Sequence, residues 1–252
     1  MAKNKNTSMK GIILAGGMGT RLRPLTNVTN KHLLPVYNKP MILYPIETLR
    51  KAGVTEILIV VGREYAGDFM NFLGSGREYG VKFSYAVQDK NNGGIADALS
   101  YGEDFADGGN LAVILGDNIF EDDFSVSVKT FTAGARIFIK KVKDPERYGV
   151  PVFDKSGKNI LRVEEKPEKP ASDYAQTGLY ILDAKIFSFI KKLHPSKRGE
   201  LEMTDAINHY VKAGEVTFSV VKGQWYDAGT IDSLLDSSIE VKRHAASFGF
   251  KE

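Results

Sequence analysis

The sequence contains no cysteine, which excludes disulfides, thiolate catalysis and cysteine-ligated zinc. Its four histidines, His32, His194, His209 and His244, stand far apart, without the close spacing of a metal-binding pair. No apolar run approaches the roughly 20 residues that span a membrane. The apolar stretch at 12–15, behind the polar start MAKNKNTSMK, is too short for a signal-peptide core. Net charge is only +3, and no basic stripe with interleaved aromatics appears. Neither nucleic acid nor a membrane is therefore an expected partner, and a cytoplasmic setting is the expectation. No Gly/Ser/Pro-rich linker and no internal repeat divides the 252 residues. The expected layout is a disordered leader over 1–9, one domain over 10–246 and a tail over 247–252.

What is present is an alternation. GIILAG (11–16), ILIVVG (57–62), KFSYAV (82–87) and LAVILGD (111–117) predict strands, with helices over 44–53, about 67–73 and 96–105 between them. Continuous apolar strands separated by helices mean a parallel sheet covered on both faces. Later segments at 135–142, 149–154, 159–166 and 174–182 predict strands with few helices between them. Helices return at 184–192, 203–213 and 230 to about 246. The predicted fold class is α/β: a Rossmann-like, mostly parallel central sheet covered by helices, with a β-rich second half. Ligands in such sheets bind beyond the carboxyl ends of the strands, where the loops 16–26, 88–94 and 116–118 lie.

The first of these loops belongs to LAGGMGTRLRPLT (14–26). A dinucleotide fingerprint starting at Gly17 and Gly19 would need a third glycine at Leu22, and a P-loop would need a lysine, but none lies between Gly11 and Lys31. What remains is a glycine-rich turn whose bare amides can approach an anion, with the permanently charged Arg21 beside it. A flexible surface loop fits equally well at this level. Lys31 reads locally as a solvated lysine, and His32 as a structural one. Asp117, in Gly-Asp-Asn at the end of an apolar strand, projects into the binding crevice and suits a hard cation; a plain turn is the alternative. VEEKPEKP (163–170) and WYDAGT (225–230) are each open between function and a charged strand end or a helix cap.

In this order GGMGTRLRPLT, NKHLLPVYNKPMILYPIETL, LGDNIF, DPERYGV, EEKP, TGLY, GELEMTD and WYDAGT resemble the bacterial and archaeal sugar-nucleotide pyrophosphorylases, a nucleotidyltransferase family. Within it the chain looks most like the short form of the glucose-1-phosphate thymidylyltransferase branch, over about residues 10–244. The resemblance implies an enzyme that joins a nucleoside triphosphate to a sugar 1-phosphate, releasing pyrophosphate. The nucleotide is expected to be dTTP and the sugar glucose 1-phosphate, with Mg²⁺ as cofactor and a homo-oligomer as assembly. It implies a nucleotide-binding half over about 10–133 and a sugar-binding half over about 134–246. Leu14, Gly16, Gly17, Gly19, Thr20, Arg21, Gln88, Gly93, Gly94 and Asp117 would bind the nucleotide. Asn118, Tyr148, Gly149, Glu165, Lys166, Thr177 and Trp225 would bind the sugar phosphate. Arg21, Lys31 and Lys166 would be catalytic, and Asp117 and Asp227 would hold the metal.

Two departures matter. The base-reading loop QDKNNGGIA (88–96) lacks the family's proline and is one residue longer, which keeps UTP open beside dTTP. Gln176 stands where many relatives have valine, leaving a different hexose open. A non-catalytic nucleotide-sugar-binding subunit is the reading from another class, but the charged set it would have lost is intact. A glycosyltransferase would show Asp-x-Asp rather than Gly-Asp-Asn. Longer relatives continue beyond the helix that begins at Thr230, so their feedback regulation is not carried over.

Overall fold

In a computed structural model the described residues are 8–90, 93–245 and 248. The expected leader and tail therefore fall outside them, apart from residues 8, 9 and 248. Phe248 is buried and meets the ring of Tyr44 edge-on at 6.0 Å.

Strand β1 (Lys10–Ala15) runs into the glycine-rich loop, which carries short 3-10 turns down to a two-stranded hairpin of β2 (Pro35–Val36) and β3 (Lys39–Pro40). Helix α1 (Leu43–Lys51), β4 (Glu56–Gly62), α2 (Ala66–Leu73) and β5 (Lys82–Gln88) follow. The helix predicted over 96–105 is two pieces, α3 (Ile95–Ser100) and α4 (Glu103–Ala106). At the break a Cβ on Gly102 would stand 2.4 Å from Ile12 Cδ1, so the chain passes too close to the sheet for any side chain there. Then come β6 (Leu111–Leu115), β7 (Asn118–Phe120), α5 (Ser125–Lys129), β8 (Ala135–Lys141), β9 (Gly149–Phe153), β10 (Ile160–Glu165), β11 (Tyr174–Leu182), α6 (Lys185–Ile190), α7 (Met203–Lys212), β12 (Val216–Val220), β13 (Trp225–Asp227) and α8 (Ile231–Arg243). Every strand and helix expected from the sequence forms. The small β7, β12 and β13, the β2–β3 hairpin and α5 were not foreseen.

One sheet runs through both halves in the order β10-β9-β11-β6-β1-β4-β5, with β8 on β11 and β12 on β8. Strands β6, β1, β4 and β5 are parallel, as is β12 to β8, while β11 runs antiparallel to β6, β8 and β9. Along the parallel strands alternate residues serve opposite faces. Ile12, Leu14, Leu58, Val60, Leu111 and Val113 join one apolar cluster, and Ile13, Ala15, Ile57, Ile59, Ala112 and Ile114 join the other. Both faces are buried, which is why these strands read as continuous apolar runs. A third cluster, around Leu22, Val36, Met41 and Tyr44, is closed by Leu234 and Val241 of α8. Thr230 starts that helix with a capping box, its side chain accepting from the Ser233 N–H while Ser233 answers to the Thr230 N–H. Among the described residues no helix is long and apolar enough to cross a membrane.

Candidate active site

Beyond the carboxyl ends of β1, β5 and β6 lies a cleft of about 480 Å³, extended by β9, β10, β11 and β13. The structure brings together at its walls all but one of the residues expected in the site, although Leu14 and Asp227 lie more than two hundred positions apart in the chain. The exception is Gly93, whose Cα faces Asp97: a Cβ would stand 2.1 Å from Asp97 Oδ2.

The glycines of the first loop are needed for close approach. A Cβ on Gly16 would stand 2.3 Å from Gln88 Oε1, and one on Gly17 would stand 3.3 Å from Lys31 Cε. Gly19 has φ +63°, a conformation disfavoured for other residues, and a Cβ there would meet Thr26 Cγ2 at 2.8 Å. The Thr26 hydroxyl fixes the turn by donating to the Gly19 carbonyl at 2.8 Å. The loop thus lies as bare backbone over Lys31 and Gln88.

Lys31 forms an ion pair with Asp117, Nζ to Oδ2 at 2.5 Å, with both side chains largely buried. Burial opposes ionisation of Asp117, but the Lys31 charge and hydrogen bonds from Lys31 and Asn118 outweigh it and hold the carboxyl well below its usual range. Asp227 goes the other way, raised to about 6 by burial and by the negative charge of Asp117. Asp227 Oδ1, Arg21 Nη2 and Asp117 Oδ2 lie 2.9, 3.1 and 3.6 Å from the position a Cβ on Gly229 would take. A buried and a half-buried carboxylate, Asp117 and Asp227, therefore converge on one point, the second of them short of compensating charge. That donor set fits Mg²⁺, which takes one or two protein carboxylates and otherwise water and phosphate oxygens.

Asn118, at the start of β7, orients this centre. Its amide donates to Asp117 Oδ1 at 3.1 Å, and its oxygen accepts from the Gly178 N–H at 2.9 Å and the Trp225 indole N–H at 2.7 Å. The side chain expected to touch the sugar phosphate is thus bonded within the protein. Gly178 is required here, since a Cβ would stand 2.6 Å from Asn118 Oδ1, and the pairing of β11 with β8 is interrupted at the same place. The hydroxyl of Thr177 is also turned inward, to the Phe138 carbonyl at 3.0 Å.

At the far end Tyr148 and Trp225 pack with ring centroids 5.2 Å apart. Lys166 stands at φ +43°, held by its N–H on the Tyr148 carbonyl at 2.9 Å; such backbone strain in a non-glycine residue is typical of functional positions. Glu165 is raised by burial and by neighbouring Glu202. It accepts from the Thr204 hydroxyl at 3.2 Å and pairs with Arg198 at 3.3 Å, while Arg198 binds Glu202 at 2.8 Å. The cleft residues Arg147, Arg198, Glu202 and Thr204 were not singled out from the sequence as site residues, although the last three sit in or beside GELEMTD. His32 is structural, as expected: it is buried under Gly116, its Nδ1 is 2.8 Å from Asn30 Oδ1, and burial lowers its pKa to about 3.

Residues 10–244 match the nucleotidyl transferase family. Glucose-1-phosphate thymidylyltransferase of Neisseria gonorrhoeae is 46% identical over 236 residues, covering 91% of this chain and 81% of that one. A Bacillus anthracis protein designated a glucose-1-phosphate thymidylyltransferase, crystallised with sucrose, superposes with a TM-score of 0.87 at 48% identity, covering 97% of both chains. A UDP-glucose pyrophosphorylase in complex with UDP-glucose superposes at 0.81 with 27% identity, covering 94% of this chain and all of that one. The chain belongs to the nucleotidyl transferase family and is an enzyme of its glucose-1-phosphate thymidylyltransferase kind.

Proposed function

We propose that the cleft joins dTTP to glucose 1-phosphate, giving dTDP-glucose and pyrophosphate. The observation that carries this reading is the meeting of Asp117, Asp227, Arg21 and Lys31 beyond the carboxyl end of β6, under a loop of bare glycine amides. A phosphate oxygen of the sugar 1-phosphate attacks the α-phosphorus in line. The new P–O bond forms as the bond to the β-phosphate oxygen breaks, and pyrophosphate leaves with that electron pair. No protein nucleophile and no proton transfer is needed, so the work is positioning and charge neutralisation.

Gly16, Gly17, Gly19 and Thr20 hold the triphosphate, with Leu14 behind it. Arg21 and Lys31 neutralise the departing pyrophosphate. Lys166 holds the sugar phosphate, and Glu165, with Tyr148, Gly149 and the Thr177 backbone around it, accepts from sugar hydroxyls. Asp117 and Asp227 would hold Mg²⁺, which supplies charge to the α-phosphate when bound. Gln88 and Gly94 read the base. The need for nucleoside triphosphates favours a cytoplasmic setting, and the family resemblance implies a homo-oligomer.

The altered loop 88–96 favours one second reading, UTP in place of or beside dTTP. The deciding experiment incubates the protein with Mg²⁺, a panel of triphosphates and hexose 1-phosphates, and measures pyrophosphate release. Release with dTTP and glucose 1-phosphate well above UTP supports the main reading; equal release supports the second; none with any pair overturns both.

A further inference from the structure

Gln88 ends β5 nearly buried, and its amide nitrogen donates to Asp97 Oδ2 at 2.8 Å and faces the Gly94 carbonyl at 3.5 Å. Asp97 lies on α3, itself buried, with no room to swing away because the Gly93 backbone closes over its carboxyl group. Both groups facing the Gln88 nitrogen are acceptors only. A carboxylate oxygen and a carbonyl oxygen cannot receive Oε1, so the two ends of this amide are not interchangeable. Oε1 is thereby sent to the opposite side, beside Gly16, at the cleft wall.

We propose that Asp97 is a positioning residue for nucleotide choice: by holding the Gln88 amide nitrogen it makes Gln88 present an acceptor to the base, selecting pyrimidines with an N3–H, thymine and uracil, against cytosine. This rests on the reading of Gln88 as the base contact. An acceptor at this point pairs with the N3–H of thymine or uracil. Cytosine offers a lone pair at N3 instead, so two acceptors would face each other across a desolvated contact. A site built to bond a donor rejects an analogue lacking it far more strongly than a shape-only pocket does. The same orientation leaves the choice between thymine and uracil to other contacts, since Oε1 meets the same N3–H in both.

Gly94 and its neighbours keep the arrangement stiff. Gly94 has φ +88° and lies so close to the Leu201 backbone that a Cβ would stand 2.6 Å from its carbonyl oxygen. Leu201 donates its N–H to the Gly93 carbonyl at 2.9 Å and accepts from the Ala96 N–H at 3.2 Å. The turn that carries Asp97 is therefore pinned to the segment that carries Arg198 and Glu202, and Asp97 cannot follow a reorienting Gln88.

The test is Asp97→Asn, which keeps shape but supplies a donor. The amide introduced on α3 can either accept from or donate to Gln88, so it no longer excludes Oε1. With only the Gly94 carbonyl at 3.5 Å still favouring the old orientation, the Gln88 amide can turn its own nitrogen to the cleft, where it donates to cytosine N3. Steady-state pyrophosphate release with dTTP, UTP and CTP at saturating glucose 1-phosphate is the readout. The expected result is a fall of about tenfold or more in the ratio of kcat/KM for dTTP to that for CTP, with KM for glucose 1-phosphate within about twofold of wild type. A merely structural role would lower all three triphosphates together and leave the ratio unchanged, and that result overturns the proposal. Should Asp97→Asn not fold, Asp97→Ser carries the same test, because its hydroxyl can also donate to Oε1. Gln88→Ala separates the two levels. If Gln88→Ala collapses the ratio while the Asp97 variants do not, the proposal alone fails; if Gln88→Ala leaves the ratio unchanged, the base-reading assignment beneath it fails.

Discussion

Lys31 Nζ sits 2.5 Å from Asp117 Oδ2 inside the cleft, with both side chains largely shielded from water. Removing one partner of a buried ion pair leaves the other as an uncompensated charge and costs about 3–5 kcal/mol. Here a second carboxylate, Asp227, already repels Asp117. Lys31→Met is therefore expected to lose about 3 kcal/mol of stability and about 10²-fold or more in kcat. Because two facing carboxylates then lack their lysine, Mg²⁺ should raise the melting temperature of Lys31→Met more than that of the wild type. Melting curves with and without Mg²⁺ at one pH test this. Equal shifts would mean that the ion does not bind between Asp117 and Asp227.

The Trp225–Asn118 hydrogen bond, across 107 residues of sequence, gives a second prediction. Asn118→Ala strands the Trp225 indole N–H and the Gly178 N–H together, and should cost about 2–4 kcal/mol in urea unfolding. Trp225→Phe removes one donor and part of the ring packed on Tyr148 but strands no polar group, and should cost about 1–2 kcal/mol. In Asn118→Ala, Asp117 also loses an orienting donor, so kcat should fall even under conditions where the variant is fully folded. Full turnover in a folded Asn118→Ala would show that Asp117 needs no such support.

The parallel strands were legible because each is buried on both faces, and their order placed Gly16, Gln88 and Asp117, at or just beyond the ends of three of them, beside one cleft. Glycine spacing and the ends of apolar strands marked Gly16, Gly19 and Asp117 from local pattern. Asp227 and Trp225 were not fixed by local pattern, because β13 is only three half-buried residues and forms by pairing Asp227 with Asn118, more than a hundred positions away. The same non-locality hid Arg198 and Glu202, which reach Glu165 only once α7 packs against β10. The inward turn of Thr177 and Asn118 was invisible for a different reason: a strand residue's face depends on register, and β11 shifts register between Gln176 and Tyr180.

His32 sets an acid limit on the fold. Its pKa drops from 6.5 to about 3 on folding, first because burial penalises the charged ring and second because Lys31 adds its own charge. The unfolded chain therefore binds a proton between pH 6.5 and about 3 that the folded chain refuses, and stability falls as pH falls through this window. A single such group contributes up to about 1.4 kcal/mol per pH unit. Urea unfolding of wild type and His32→Gln at pH 7.5 and 5.5 isolates it. The wild type should lose about 1 kcal/mol more than the variant on acidification; parallel losses would show that His32 takes up its proton as readily in the folded state as in the unfolded chain.

Gln176 carries the opposite kind of cost. It is 6% exposed on β11, its nitrogen reaches the Tyr180 hydroxyl at 3.4 Å, and among the described residues its Oε1 is buried without a hydrogen-bond partner. A buried acceptor left unpaired costs about 1–3 kcal/mol, whereas an apolar group of the same shape costs nothing of the kind. Gln176→Met, close in volume and flexible enough to fill the same space, should therefore unfold at equal or higher urea concentration than the wild type, with an unchanged slope. If instead it loses more than about 1 kcal/mol, Oε1 has a partner in solution. In that case the comparison is repeated with saturating glucose 1-phosphate. A wild type stabilised by the sugar phosphate more than Gln176→Met then assigns Oε1 to the sugar, and equal stabilisation assigns it to an ordered water.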